Sequence, residues 1–155
     1  MDRTATTNSK DEQTRNKLQH ALFEQRDHRR RRAHFSQATL TATGQPSNGQ
    51  TVTIGSKVYT FQTVLTNVNG NVAIGATLTA SLANLLNALN LGAGSGTAYA
   101  AATTKSPLAL GLSSDATHLT AGARRKGMSG NLVKVSTAVP GASFGSPFMI
   151  PPNAP

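Results

Sequence analysis

The alternation of apolar and polar positions is clearest between residues 51 and 63. In Thr51-Val52-Thr53-Ile54, Val52 and Ile54 share one side, and Lys57-Val58-Tyr59-Thr60-Phe61-Gln62-Thr63 alternates again beyond Gly55-Ser56. A period of two sends successive side chains to opposite faces of a strand. Two such runs across a two-residue, Gly-containing connection predict a β-hairpin with a type II′ turn. Upstream, Thr39-Leu40-Thr41 within Gln37 to Ala42 suggests a strand, and Asn48-Gly49 supplies a turn.

After the short run Asn71-Val72-Ala73-Ile74 the period changes. Leu78, Leu82, Leu85, Leu86 and Leu89 fall at the spacing of one helical face, and Gly92 follows as a C-cap. This helix is expected to pack on the sheet. Further strands are expected at about 116–123 and 132–137, with 124–131 as the loop between them. Residues 140–155 carry five of the seven prolines together with Phe144, Phe148, Met149 and Ile150. Proline cannot donate to a strand ladder, so this stretch predicts an extended tail, with Phe148 and Ile150 docking into a groove on a neighbour.

The first 35 residues are different. Ser9-Lys10-Asp11-Glu12 fits a capping box, and good helix formers continue to the cluster Arg29-Arg30-Arg31-Arg32, which predicts a helix from about Ser9 to Arg32. Leu18, Ala21 and Leu22 make only a thin apolar stripe, so this helix needs a partner to bury anything. The fold expected is α+β: a small antiparallel sheet with one packed helix, preceded by a basic helix and followed by an extended arm. The corresponding segments are a helical arm at 1–35, a body at 36–138 and a tail at 139–155.

Charge supports that division. Residues 1–35 hold nine of the 15 basic residues and five of the six acidic ones, whereas 36–155 hold six basic residues and Asp115 alone. The net charge of +9 draws the chain toward something negative. Without cysteine there are no disulfides, thiolate nucleophiles, iron–sulfur clusters or Cys-based zinc sites. The polar N-terminus lacks the pattern of a signal peptide, and no apolar run approaches the roughly 20 residues that span a bilayer, so a soluble chain with no membrane partner is expected.

Taken as an ordered set, several of these pieces are familiar. The hairpin from Gly49 to Thr63, the run Gly70 to Gly75, the helix Ser81 to Asn90 and the loop Gly92-Ala93-Gly94-Ser95-Gly96-Thr97-Ala98-Tyr99, ending near Gly127 to Asn131, resemble a module recurrent in structural proteins of tailed bacteriophages. The likeness runs from about Gln37 to Thr137, about two thirds of the chain. It implies a virion component of head, neck or tail, made in the host cytoplasm. The implied neighbours are capsid, portal or tail proteins, with symmetric copies or a homo-oligomer in the particle. It carries no catalytic residue. The basic helix and the Pro-rich tail lie outside it.

No candidate chemistry competes strongly. Gly92, Gly94 and Gly96 follow a helix and lead into Thr97-Ala98-Tyr99, unlike a phosphate-binding loop that ends in Gly-Lys-Ser/Thr and opens a helix. His20, His28, His34 and His118 lack metal-ligand spacing. Asp115 has no second carboxylate in the body for paired acid–base work, and Ser113, Asp115 and His118 are ordinary turn formers. No catalytic residue, metal or cofactor is therefore assigned. A glycan-binding domain would need an exposed aromatic platform, for which Tyr59, Tyr99 and a few Phe are available.

The strongest electrostatic feature is Arg29, Arg30, Arg31 and Arg32 with Arg26 beside them. On a helix, consecutive arginines point around the axis, which suits an acidic protein surface, a phosphate backbone or plain solvation. Arg124-Arg125-Lys126 repeats the choice on a smaller scale, with a turn as its default. The partner-binding candidates are thus Leu18, Leu22, Arg26, Arg29–Arg32, Phe144, Phe148 and Ile150. The function expected is a non-enzymatic virion subunit, with a nucleic-acid-binding protein contacting packaged genome as the alternative.

Overall fold

The structure, a computed structural model, describes residues 12–22 and 35–152. The chain divides into two compact units, Met1–His34 and Phe35–Pro155. In the first, residues 12–22 form helix α1, exposed along its whole described length, with Leu18 and Leu22 each 59% exposed. The capping box at Ser9 and the arginines at 26 and 29–32 lie outside the described residues.

The second unit is α+β, and its strands are divided between two four-stranded sheets. β1 (Phe35–Ala42), β2 (Thr51–Ile54), β3 (Lys57–Gln62) and β4 (Asn71–Ala73) precede helix α2 (Leu78–Asn90). β5 (Ala109–Ser114), β6 (His118–Lys126), the short helix α3 (Met128–Asn131), β7 (Val135–Thr137) and β8 (Ala142–Phe144) follow it. One sheet runs β5-β6-β1-β8 and the other β4-β3-β2-β7. All pairings are antiparallel except β3 with β4.

The hairpin forms as its alternation dictates. Val52 pairs with Tyr59 and Ile54 with Lys57, which places Val52, Ile54, Tyr59 and Phe61 in the core. Gly55 takes φ +66° while Ser56 stays at negative φ, as a type II′ turn requires. The parallel pair β3–β4 was not foreseen. It needs only a short return, because the register Thr60↔Asn71 carries the chain back by about two residues of strand, about 7 Å. Gly70 makes that return possible: its φ is +90°, and a Cβ there would collide with the Val58 carbonyl.

Helix α2 buries the predicted face, with Leu82, Leu85 and Leu89 inside and Leu78 and Leu86 partly covered. Thr77 caps its start, the hydroxyl accepting from the Ala80 N–H at 3.2 Å. At its end the left-handed residue is Leu91 (φ 53°), where Gly92 was expected; the N–H groups of both donate to the Asn87 carbonyl. The helix lies against β4, β5 and β6. Leu86 covers Gly111, where a Cβ would strike its side chain, and the Asn90 amide both donates to and accepts from the Gly111 backbone at 3.0 Å. A side chain thus stands in for a strand partner along the outer edge of β5.

The expected C-terminal arm is instead part of the body as far as it is described. β8 pairs with β1 through Leu40↔Phe144, Thr41↔Ser143 and Ala42↔Ala142. Residues 147–150 then form a seam between the sheets. On one side Gln37 and Ile150 exchange backbone bonds of 2.8 and 2.9 Å. On the other, Met149 N–H donates to the Val133 carbonyl and Val135 N–H to the Pro147 carbonyl, each at 2.9 Å. Met149 is fully buried between them. Pro147 contributes only its carbonyl to the seam, so its missing N–H costs no hydrogen bond there.

Two variants measure this closure. Met149→Ala should lower stability in urea denaturation by about 2–5 kcal/mol, the usual cost of truncating a buried side chain. Truncation after Gly141 should abolish cooperative unfolding altogether. A loss below about 0.5 kcal/mol for Met149→Ala would place the seam outside the cooperative unit.

Candidate functional site

The partner-binding candidates divide into three groups. Leu18 and Leu22, one helical turn apart on α1, are both exposed and present an apolar pair to solvent. Arg26 and Arg29–Arg32 are outside the described residues. Phe144, Phe148 and Ile150 lie on the body and not on a free arm. Phe144 packs on the core, Phe148 is half-buried with Lys134 Nζ 5.9 Å from its ring centroid, and Ile150 is fixed to Gln37 by its backbone. Ile150 still exposes 46% of its surface. It helps line a hollow of about 440 Å³ with Gln37, Thr39, Thr41, Ser146 and Phe148.

The glycine-rich loop is folded around its own hydrogen bonds. The Gly94 carbonyl accepts from the N–H groups of Thr97, Ala98 and Tyr99, and Gly96 N–H donates to the Tyr99 carbonyl at 2.7 Å. The N–H groups of Gly96, Thr97, Ala98 and Tyr99 are therefore engaged within the loop. Tyr99 fastens the loop from below, its hydroxyl donating to the Gly92 carbonyl at 2.6 Å, while Ala73 and Ala100 N–H groups bond across to Ala98 and Asn71. The loop extends the sheet past β4. Tyr59 and Tyr99 are both buried, so neither provides the exposed platform that glycan binding would use.

Asp115 and His118 shape a turn. Asp115 Oδ1 accepts from the N–H of Thr117 at 2.9 Å and of His118 at 2.8 Å, with His118 Nδ1 at 3.1 Å. These bonds, that of Thr117 first, hold the carboxyl below its ordinary range. Ser113 has no hydrogen bond to either, so no relay connects a hydroxyl to the imidazole. Among the described residues no three His, Asp or Glu side chains gather as a metal site. No helix among them is long and apolar enough to cross a membrane.

A second hollow, of about 370 Å³, was not legible in the sequence. Ser56 and Lys57 from the hairpin turn, Asn69 from the β3–β4 return and Thr104 and Lys105 from the segment before β5 line it. Asn69 Oδ1 accepts from the Thr104 N–H at 3.1 Å, and Asn67 Oδ1 from the Ala102 N–H at 2.8 Å, which holds this segment against the return. Lys57 Nζ donates to the carbonyl and hydroxyl of Thr104. Burial holds its pKa below the ordinary lysine value. Beneath it lies Tyr59, whose pKa burial pushes up to about 12 against the opposing charge of Arg124. Its hydroxyl is the one buried side-chain polar atom among the described residues with no protein partner.

With the geometry in hand, comparison with family models, with curated proteins and with solved structures returns no match.

Two expectations follow. Tyr59→Phe should leave chemical-denaturation stability within about 0.5 kcal/mol of wild type, because it removes a hydroxyl that gains no protein bond; a loss above about 1 kcal/mol would reveal a partner. For Asp115, whose folded pKa is depressed, the stabilisation is present above the unfolded value and fades as pH falls through the folded one. In an NMR titration its midpoint should lie below that of Asp in an unstructured peptide, and an unshifted midpoint would contradict the turn's role.

Proposed function

We propose that this chain is a non-enzymatic structural subunit of a tailed-phage virion, a head, neck or tail component that docks onto neighbouring capsid, portal or tail subunits. The observation that carries the reading is where the phage-like residues go. The hairpin supplies Val52, Ile54, Tyr59 and Phe61 to the core, α2 supplies Leu82, Leu85 and Leu89, and the glycine-rich loop gathers the N–H groups of Thr97, Ala98 and Tyr99 on the Gly94 carbonyl. A motif whose apolar positions go into the core suits a module that works by holding a place. A modest core is offset when the same interface repeats around a symmetric particle.

The first unit offers an apolar contact of its own. Leu18 and Leu22 are each 59% exposed on α1, whereas the core residues of the body pack on one another. In this reading α1 lays its apolar pair into a groove on a neighbour, with the basic residues of the arm against acidic rims.

Particles assembled with Leu18→Ser/Leu22→Ser protein should contain at least tenfold less of it by quantitative mass spectrometry, while its thermal unfolding stays that of wild type. Retention should survive high-salt washing, since it rests on apolar burial. Unchanged copy number in the variant would refute the reading, and a retention that falls linearly in log–log with salt would point to packaged nucleic acid.

A further inference from the structure

The fold gathers charges that are scattered through the sequence. Lys134 gives its carbonyl to the Gly55 N–H in the hairpin turn at 2.8 Å, and Lys57 stands just beyond that turn on Thr104. Lys105 follows Thr104, and Arg124 Nε donates to the carbonyl of the next residue, Ser106, at 2.9 Å. Arg125 is exposed, and Lys126, paired with Phe35, holds its Nζ 4.9 Å from that ring's centroid. The six basic residues of the body therefore occupy one end of it. Asp115, its only acid, lies at the other end of β6, about 26 Å of strand away.

The same end carries bulky apolar side chains in solvent. Met128, the first residue of α3, is 79% exposed and Leu132, just past its end, 74%, while Gly130 of α3 packs against Ser36 and Arg125; Phe35 (43%) and Leu108 (37%) are exposed at the same end. Exposed large hydrophobics ringed by charge mark an interaction surface. Nucleic-acid interfaces are strongly polar as well as basic, whereas methionine and apolar anchors belong to the cores of protein interfaces. The same face of a second copy does not fit, because six cations would meet six, and the far end of a second body offers only Asp115.

We propose that this basic, apolar end of the body docks an acidic-rimmed apolar surface of a different protein, with the Lys57–Lys105 hollow receiving a carboxylate from it. Lys57 retains one N–H beyond the two acceptors on Thr104, and no described carboxylate lies near enough to pair with it. Its partly desolvated charge, 5.7 Å from the Tyr59 ring centroid, has no carboxylate counter-ion among the described residues, and a partner's Asp or Glu completes it. The proposal rests on the reading of the chain as a docking subunit, and names one face and the chemistry of what covers it.

The test uses the full chain and three labelled probes: a 20-residue helical peptide with a leucine stripe ringed by glutamates, the same peptide with serine for leucine, and a 20-base-pair DNA duplex. The arm's arginines are common to all protein variants, so differences between variants report this end. Met128→Ser/Leu132→Ser should weaken the leucine peptide at least tenfold in fluorescence anisotropy and leave the serine peptide unchanged. Both substitutions fall on exposed positions and should keep the fold. Carbodiimide should couple the leucine peptide's glutamates to Lys57 or Lys105, and Lys57→Gln/Lys105→Gln should abolish that product. Equal affinity for the two peptides, or coupling only to other lysines, overturns the proposal. So does duplex binding that falls in the lysine variant while peptide binding does not, or a wild-type dimer that Met128→Ser/Leu132→Ser dissociates in sedimentation. Loss of peptide binding with normal copy number in particles would remove this face and leave the subunit reading standing.

Discussion

The body depends on a four-residue backbone seam. Residues 147–150 bond to Gln37 on one side and to Val133 and Val135 on the other, and Met149 fills the space between. Without them β1 and the approach to β7 would be open edges with a row of unpaired N–H and C=O groups, each costly in the interior and a template for wrong pairing outside. The opposite edges are handled by other means: residues 98–100 cover β4, and the Asn90 amide occupies Gly111 on β5. A core with two buried tyrosines, one buried phenylalanine and no tryptophan gains its order from having both sheets closed by the chain's own segments.

What could be read from the sequence was local. The Val52–Phe61 alternation and the leucine spacing of α2 announce themselves because period and burial agree at every position. β5 escaped because Ala109-Leu110-Gly111-Leu112-Ser113-Ser114 contains no β-branched residue, and its central glycine is there for Leu86 to pack against. The C-terminal segment was misread for a sound reason wrongly extended. Proline excludes a central ladder position, yet Pro147 needs only its carbonyl, and Phe144 and Met149 are apolar because they are inside. Density of large apolar residues among prolines signalled burial, and for Met149 the cover is the chain's own body.

The basic end was invisible for another reason. Lys57, Lys105, Arg124 and Lys134 are separated by up to 77 positions (134 − 57), and only the hairpin turn, the segment before β5 and the end of β6 bring them together. Taken singly, each is an ordinary surface cation. Taken together, with Asp115 isolated at the far end of β6, they give the body a polarity that composition alone does not reveal. The exposed apolar pair on α1 and the charged apolar end of the body are the surfaces on which the proposed docking rests. That is the physical content of the structural-subunit reading.

Native-state hydrogen exchange of the full chain addresses the closure on which all of this stands. The amides of Gln37, Val135, Met149 and Ile150 should exchange only through global unfolding, with the same protection free energy as Phe61 in the hairpin core. If these four exchange at rates near those of an unstructured peptide while Phe61 stays protected, the C-terminal segment is not part of the body. The account of a chain that closes its own sheets would then be wrong.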